Sequence, residues 1–586
     1  MLSILKTLVI DRLRCAPRSR RREESSADWS QVVALMKSGA VADAEAAMTA
    51  LTTASGSDEE LAAVAECLLQ QQQWHKALDF LRKVMEGKPD WAQAWYMAGW
   101  VSLKSQRHAE AEYYLSQALR LDEHAVAPLL ALGKLCYDSG RLDEAREFFQ
   151  RAVQVNGTEA NAYFGLGNIC KSRGEYEKAI EYFESGLRYA PGHVMALQNI
   201  GECYRNIGLL VPARRYNEQA LKRDPQYVDA LIDLSRIALY EGHIEQSCQY
   251  IDQALQIAPD SAAVRFNHAV LLLRRGEFDA AWKEYDRAMD LRRIRFRFPG
   301  QRTWNGEPLD GKTILVFGEQ GIGDEILFAG CLPQVIEQAG QCVIECAPKL
   351  EELFRCSFPT AVVHGGVRGE GRQWLAACPK IDYETPSGSL PMFFRRRVED
   401  FARQGGYLKA PDPRRRAMRE RLSALGPGRK VGISWRGGTI VTGTFHRSVS
   451  LLDWAPILKT PGITFVSLQY TDCHAEIARV ERELGVNIHH WQDVIDDYAS
   501  TAALVSELDL TVSVCTSVIT LAAALGRPVW VMVPPSAEWM NTHNGRSLWF
   551  PGARLFFQQD MLDWTGVIGE IAAELAGEMR ECRQRC

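Results

Sequence analysis

The chain has 586 residues, of which 68 are Lys or Arg and 73 are Asp or Glu, so its formal charge is −5. Apolar residues make up 46% and charged residues 24%, a composition typical of a folded globular protein, which excludes a wholly disordered chain. The near-neutral charge argues against general nucleic-acid binding, which needs a clustered positive excess. The 15 cysteines include no CxxC pair, so they predict reduced thiols in the cytoplasm and no metal site.

Residues 1–27 form a basic amphipathic segment that precedes the predicted fold. One helical face would carry Leu2, Leu5, Val9 and Leu13. A basic run at 18–22 follows, whereas a signal peptide would place its charge before the apolar stretch. Two alternatives stay open for residues 1–22: peripheral contact of a cytoplasmic protein with the inner membrane, or a packed N-terminal helix. The chain has no uncharged apolar run of about 18 residues, so no membrane span is predicted.

Small residues recur along the next part of the chain with a spacing of 34. The clearest column consists of Gly99, Gly133, Gly167 and Gly201. A second column consists of Ala77, Ala111, Ala145, Ala179, Ala213, Ser247 and Ala281. This period predicts helical hairpins repeated head to tail, since two helices approach closely where their side chains are small. The pattern resembles the tetratricopeptide repeat, and it predicts an α-solenoid over residues 28–295 with strong repeats over 58–295.

The resemblance to tetratricopeptide repeats implies a groove that holds a peptide or another protein. Tyr96, Tyr163 and Asn199 lie on the first helices of their hairpins and are candidates to line it. The alternative is that the repeats only support the rest of the chain or make it dimerise.

The helical period ends at Phe298-Pro299-Gly300, where short β-branched runs begin to alternate with amphipathic segments. This alternation predicts parallel α/β architecture. The predicted strands are 313–317, 342–346, 361–364, 430–435, 463–468, 486–490, 510–514 and 528–533. We expect two Rossmann-like halves, residues 300–412 and 426–586, joined by a helix over 414–425. Two such halves that face a cleft place a ligand at the carboxyl ends of their strands.

The first turn of interest follows the strand at 313–317. It contains Gly318, Gly321 and Gly323, and Asp324 begins an apolar helix. The glycine spacing differs from the GxGxxG dinucleotide fingerprint. Glycines allow the backbone to approach a ligand closely, whereas Asp324 is equally compatible with a helix cap and with a catalytic base.

The second turn of interest follows the strand at 510–514. Cys515, Thr516 and Ser517 precede a helix, and backbone N–H groups with hydroxyls at a helix N-terminus form a phosphate site. The alternative is that Ser517 is an ordinary N-cap. Arg436 and Arg447 follow the strand at 430–435, and guanidinium groups suit a diphosphate.

Together these residues resemble a bacterial group in which tetratricopeptide repeats precede a heptosyltransferase-like glycosyltransferase of family 9, which has the GT-B fold. The resemblance covers residues 300–560. Its motifs are the turn 318–324, Gly432-Ile433-Ser434-Trp435, Arg447-Ser448, Ser467-Leu468-Gln469, Asp497 with 501–504, the turn 509–528, and Trp549-Phe550-Pro551 with Arg554-Leu555-Phe556.

The resemblance implies an inverting, metal-independent enzyme without a cofactor, which moves a sugar from a nucleotide-sugar to a protein or glycan acceptor presented by the repeats. It implies that Asp324 is the base for the acceptor hydroxyl. The expected donor-binding residues are Gly321, Gly323, Arg436, Arg447, Gln469, Thr516, Ser517, Val518 and Thr520. The alternative is a non-catalytic interaction protein with a degenerate glycosyltransferase half. Departures from the family pattern are the reason for it, among them Cys515 where Asp is usual, Thr520 where His is usual, Met540 for Arg and Phe550 for Tyr.

Overall fold

The computed structural model describes residues 28–38, 41–49, 51, 55–291, 302–318, 320–366, 371, 373–401, 405–438, 444–535 and 545–585. The basic amphipathic segment and its predicted membrane contact therefore lie outside the described residues. The chain divides into two compact units, Met1–Ile169 and Cys170–Cys586.

Helices alone make up the described part of the first unit. They are α1 Trp29–Ser38, α2 Val41–Thr49, α3 Asp58–Gln70, α4 Trp74–Gly87, α5 Ala92–Lys104, α6 His108–Leu121, α7 Val126–Asp138, α8 Leu142–Val155 and α9 Ala160–Ser172, the last of which contains the division. The small-residue column lies where helices of one hairpin touch. A β-carbon added to Gly99 would lie 2.6 Å from Leu115 Cγ, and one added to Gly133 would lie 2.8 Å from Phe149 Cε1. Any larger residue there would push the two helices apart.

The second unit begins with seven further helices of the same kind. They are α10 Tyr176–Tyr189, α11 Val194–Asn206, α12 Leu210–Arg223, α13 Val228–Tyr240, α14 Ile244–Ile257, α15 Ala262–Arg275 and α16 Phe278–Leu291. The described residues thus contain sixteen helices of an α-solenoid type, of which nine begin in the first unit and seven in the second, as the 34-residue spacing predicts.

In the turn between the two helices of a hairpin, one residue adopts the left-handed backbone conformation. These residues recur with the same spacing of 34 and form another column of the repeat. Gly140, Gly174, Gly208, Gly242 and Gly276 have φ between 74° and 80°. Gln72 and Gln106 occupy the same place in earlier hairpins with φ of 57° and 58°. Only glycine adopts this conformation without steric cost, so the two glutamines make the earlier turns the more strained ones.

Parallel sheets and short helices form the rest of the second unit. The elements are β1 Thr313–Phe317, α17 Ile322–Ala329, α18 Leu332–Gln338, β2 Gln341–Cys346, α19 Glu351–Ser357, β3 Val362–Gly365, β4 Tyr383–Pro386, α20 Pro391–Phe394, α21 Asp412–Ser423, β5 Arg429–Ser434, α22 Ala455–Leu458, β6 Ile463–Ser467, α23 His474–Leu484, β7 Ile488–His489, α24 Gln492–Asp496, α25 Tyr498–Glu507, β8 Leu510–Val514, α26 Ser517–Ala524, β9 Val529–Val533, β10 Arg554–Phe557 and α27 Thr565–Arg585.

Within the described residues these strands build two sheets, in the orders β3-β2-β1-β4 and β10-β9-β8-β5-β6-β7, and every pairing is parallel. In the first sheet the chain adds β2 and β3 on one side of β1 and then returns to add β4 on its other side. It does the same around β5, with β6 on one side and β8 on the other. In parallel sheets a ligand crevice forms at the carboxyl ends of the strands beside such a switch point.

All eight predicted strands are present, with ends displaced by at most two residues. Sequence patterns did not predict the edge strands β4 and β10. β4 contains Glu384 and ends in Pro386, and β10 has only four residues, so neither gives a β-branched run.

The last repeat helix shares a hydrophobic core with the first sheet. Trp282 of α16 is 1% exposed, its Nε1 donates a hydrogen bond to Arg395 O at 2.7 Å, and its ring lies 6.4 Å from that of Trp549. Gln320, in the turn after β1, donates to the hydroxyl of Tyr285 on the same helix. The solenoid end therefore supports the turn that contains Asp324.

Candidate functional site: a cavity between two strand-to-helix turns

The turns after β1 and β8 border one cavity of about 510 Å³. Its lining includes eight residues expected from the sequence: Gly321, Gly323, Asp324, Arg447, Thr516, Ser517, Val518 and Thr520. A β-carbon added to Gly323 would lie 3.4 Å from Ser517 Cβ, so the two turns are in van der Waals reach of each other. Residues that are far apart in the chain therefore face one space.

The first turn presents the N-terminus of α17 to this cavity. Gly321 occupies the N-cap position and offers no side chain to the first amides of the helix. Asp324 is the third residue of α17, and its partly buried side chain lines the cavity. The cap position thus belongs to Gly321, and the Asp324 carboxylate stands where the helix dipole stabilises a negative charge.

Glu325 supports this turn from beneath. Its buried carboxylate accepts a hydrogen bond from Ala347 N at 2.9 Å, which ties the turn after β1 to the end of β2. A β-carbon added to Gly318 would lie 2.5 Å from Glu325 Oε1. Glycine at 318 is therefore required for the carboxylate to pass under the turn.

The second turn presents the N-terminus of α26. Thr516 is its N-cap, and the Thr516 hydroxyl accepts a hydrogen bond from Val518 N at 3.2 Å. The interpretation of Ser517 as the N-cap is therefore wrong by one residue, because Ser517 is the first residue of the helix. Burial raises the pKa of Tyr498, whose phenol lies beside Ser517. The Ser517 side chain thus belongs to the cavity wall and not to the cap.

The loop after β5 packs directly on this turn. A β-carbon added to Gly437 would lie 3.0 Å from Cys515 O and would overlap the methyl group of Thr516. Burial raises the pKa of the Cys515 thiol to about 11, opposed by the charge of nearby Arg447. Cys515 is therefore a neutral, buried residue.

Arg447 and Arg436 have different places. Arg447 lines the cavity, whereas Arg436 Nη2 donates to Asp472 O at 2.7 Å and pairs with Glu476 Oε2 at 3.2 Å. Gln469 is buried, and its Oε1 accepts from Arg436 N at 3.1 Å. The structure thus leaves Arg436 and Gln469 out of the lining, where Gln469 fixes the loop after β5.

Four polar or charged residues of the lining were not expected from the sequence: Lys349, Tyr470, Asp496 and Tyr498. Lys349 lies just after β2 and Tyr470 just after β6. The rule that ligands meet the carboxyl ends of parallel strands would have identified both. Asp496 ends α24 and Tyr498 begins α25, and no sequence signal distinguishes these two from packing residues.

The inner face of the last repeats is already occupied by contacts within the second unit. Asn199, a candidate groove residue, is buried, and its Oδ1 accepts a hydrogen bond from Lys171 Nζ at 2.6 Å. Tyr96 and Tyr163 are both partly exposed, and the Tyr163 hydroxyl donates to Gly157 O at 3.1 Å. Of the three candidates, Asn199 is thus the one that the structure buries, whereas both tyrosine rings are at least partly accessible to a partner.

The buried imidazole of His446 should make the folded protein less stable in acid. Burial and the charges of Arg205 and Arg447 lower the pKa of His446 to about 4, so the folded protein disfavours its protonation. The contribution of neutral His446 to the free energy of unfolding is therefore fully present above the ordinary histidine pKa of about 6.5, and it is lost as the pH drops toward 4. Between about pH 7.5 and pH 5 we expect the free energy of unfolding to fall by about 2 kcal/mol, measured by urea unfolding.

The variant His446→Gln should remove most of this pH dependence, whereas the variant His124→Gln, at an exposed position, should retain it. Equal pH dependence in both variants would contradict the assignment to His446.

Among the residues that the structure describes, no group of three or more His, Cys, Asp or Glu side chains is arranged to hold a metal ion. Likewise, none of the described helices combines the length and apolar character needed to cross a membrane.

Models of the tetratricopeptide repeat match residues 125–192 and, with a second model, residues 164–228 and 232–293. A model described as anaphase-promoting complex, cyclosome, subunit 3 matches residues 37–118. The N-terminal region therefore contains tetratricopeptide repeats, as its 34-residue spacing predicts.

A curated relative, Protein FlbA of Caulobacter vibrioides, is 33% identical over 330 residues. The alignment covers 53% of this chain and 54% of FlbA, so the chain spans about half the length of this relative. Similar solved structures include Pseudomonas aeruginosa pilF, with 22% identity over 36% of this chain and 96% of that one, at a TM-score of 0.33. YrrB, described as a TPR protein with an unusual peptide-binding site, has 20% identity over 31% and 95%, at a TM-score of 0.28.

Proposed function

We propose that this protein is an interaction protein whose early repeats bind an extended segment of a protein partner. One observation carries the proposal: the first helices of these hairpins bear a row of aromatic, apolar and lysine side chains that are at least partly exposed. The row, here called the α5–α7 face, consists of Tyr96, Trp100, Leu130, Lys134 and Tyr137.

The aromatic part of the α5–α7 face is held in place by its neighbours. The Trp100 ring lies 5.8 Å from the ring of Trp74, and Lys104 Nζ lies 5.3 Å from the Trp100 ring centre. Rings fixed in this way lose little entropy on binding, which is why aromatic residues dominate protein interfaces. The Lys134 ammonium, one repeat farther on, is paired with Asp138 Oδ1 at 2.5 Å, so the favoured partner segment is one that carries an apolar anchor for the aromatic rings.

Equivalent positions in the second unit show the contrast. Gln198 and Ile232 occupy the same place in their repeats as Tyr96 and Leu130, and both are buried. Their face is filled by contacts within that unit, whereas the α5–α7 face is at least partly open to solvent.

The test selects peptides of about 15 residues on the full chain from a random display library and measures the affinity of a labelled, selected peptide. The double variant Tyr96→Ala/Trp100→Ala should weaken binding at least about tenfold, because each truncation removes an aromatic anchor. Tyr189→Ala, which truncates an exposed ring on the second helix of its hairpin, is the control and should bind as the wild type does. Binding that survives the double variant would refute the proposal.

A second candidate function is glycosyl transfer from a nucleotide-sugar donor at the cavity, in a GT-B arrangement of the two sheets. It is favoured by the convergence of the α17 and α26 N-termini with Arg447 on one space. In this scheme the diphosphate lies against the amides of α26, the hydroxyls of Thr516 and Ser517, and the Arg447 guanidinium, which stabilise the leaving-group charge. Asp324 takes the proton of the acceptor hydroxyl, whose oxygen attacks the anomeric carbon as its bond to the diphosphate breaks, with inversion. The acceptor is a protein or a glycan.

The replacement Asp324→Asn tests this scheme. It should leave the affinity for a nucleotide-sugar nearly unchanged and lower transfer at least about a hundredfold, since a general base contributes that much to the rate. Calorimetry with UDP-, GDP-, CMP- and ADP-linked sugars identifies the donor, and mass spectrometry of the acceptor measures transfer. If the wild-type protein binds none of these donors, the transferase scheme fails and the interaction function stands alone.

A further inference from the structure

A buried polar cluster on the inner helices of the later repeats approaches the cavity wall within the second unit. Arg205 of α11 is 6% exposed, Asp233 of α13 is 2% exposed, and Arg205 Nε lies 3.3 Å from Asp233 Oδ1. Gln198 Nε2 donates to Asp233 Oδ2 at 2.7 Å, and the phenol of Tyr240 lies beside Arg205. Charges at this depth are costly unless they are paired, so the cluster has one favoured arrangement.

Tyr240 connects this cluster to the segment that carries Arg447. The centre of its ring lies 5.8 Å from the ring centre of His446, which is buried. The next residue, Arg447, lines the cavity. The repeats thus contact the residue directly before the cavity arginine.

The same segment is held from its other side by the second sheet. Val449 N donates to Trp435 O at 2.9 Å, and Gly437 N donates to Ser448 Oγ at 3.3 Å. These bonds hold one side of the segment against the residues that follow β5, and the contact with Tyr240 holds its other side. A guanidinium on a long stem binds an anion tightly only if its backbone is held in this way.

We propose that Arg205, Asp233 and Tyr240 are positioning residues that hold His446, and through it Arg447, in the cavity wall. The anion affinity of the cavity then depends on the later repeats, which act as part of the donor site and not merely as a carrier of partners. The inference rests on the second candidate function, in which the cavity takes the diphosphate group of a nucleotide.

The test measures binding of inorganic pyrophosphate, UDP, GDP and ADP to the full chain by calorimetry. Tyr240→Leu should weaken binding about tenfold, the effect of one misplaced charged hydrogen bond. Tyr240→Phe keeps the ring and should rescue most of the affinity. Arg447→Gln should weaken binding at least as much, and adding Tyr240→Leu to it should cost nothing more, because the two residues act through one contact. Equal affinity in Tyr240→Leu and wild type, or additive losses in the double variant, would overturn the inference.

Hydrogen exchange of residues 444–449 provides a second measurement that needs no ligand. Tyr240→Leu and Asp233→Asn should each speed exchange in this segment, and Tyr240→Phe, which keeps the ring contact with His446, should speed it less than Tyr240→Leu. If the wild type binds none of the four probes, the nucleotide function fails, and the exchange data alone decide the inference. Unchanged exchange in both variants would then overturn it, and faster exchange would support it.

Discussion

Trp282→Ala is expected to lower the free energy of unfolding of the second unit by about 3–5 kcal/mol, the usual cost of truncating a buried tryptophan. The substitution empties a site in the core that α16 shares with the first sheet, and it leaves Arg395 O without its donor. Urea unfolding followed by circular dichroism measures the loss.

Hydrogen exchange shows where the loss falls. Because α16 and β1 contribute to one core, amides of both elements should lose protection together. Tyr189→Ala truncates an exposed ring and should change the midpoint little. Loss of protection in α16 alone, with β1 unaffected, would mean that the two elements are not cooperative.

Arg447→Gln is expected to weaken binding of nucleoside diphosphates about 10- to 100-fold, the value of a charged hydrogen bond to an anion. Its matched control is Arg436→Gln, which removes an equal charge from the same loop region. Arg436 pairs with Glu476 and Asp472 O outside the cavity, so this variant should bind within about twofold of wild type.

Comparison of the two variants therefore distinguishes direct contact of an arginine with the ligand from long-range attraction by the net charge of the region. Titration calorimetry at two salt concentrations makes the comparison, since screening weakens long-range attraction more than direct contact. Equal losses in the two variants would mean that only the net charge of the region matters, and the cavity assignment of Arg447 would be wrong.

The sequence alone predicted most of the architecture. The 34-residue period identified the repeats because each hairpin needs small residues at its closest contact. The eight predicted strands are all present because each is a short β-branched run between turns. The turns at 318–324 and 515–517 were also predicted as candidate ligand-binding turns, since each follows the carboxyl end of a predicted strand.

Other features had no local signal. β4 and β10 are short edge strands whose pairing depends on their neighbours and not on their own residues. The α5–α7 face is at least partly exposed, whereas the equivalent face around Asp233 is buried. The repeat pattern is the same in both, so the difference depends on the residues that pack against each face.

The sequence thus determined which segments form helices and strands and which turns carry glycines and hydroxyls, because these depend on residues near one another in the chain. Only the tertiary structure decided which side chains enter the cavity. Arg436 and Arg447 both follow β5, but Arg436 pairs with Glu476 outside the cavity lining. Arg447 lines the cavity beside Cys515, directly after the residue that Tyr240 contacts. Side-chain direction is set by partners that lie far away in the chain, and no local pattern records them.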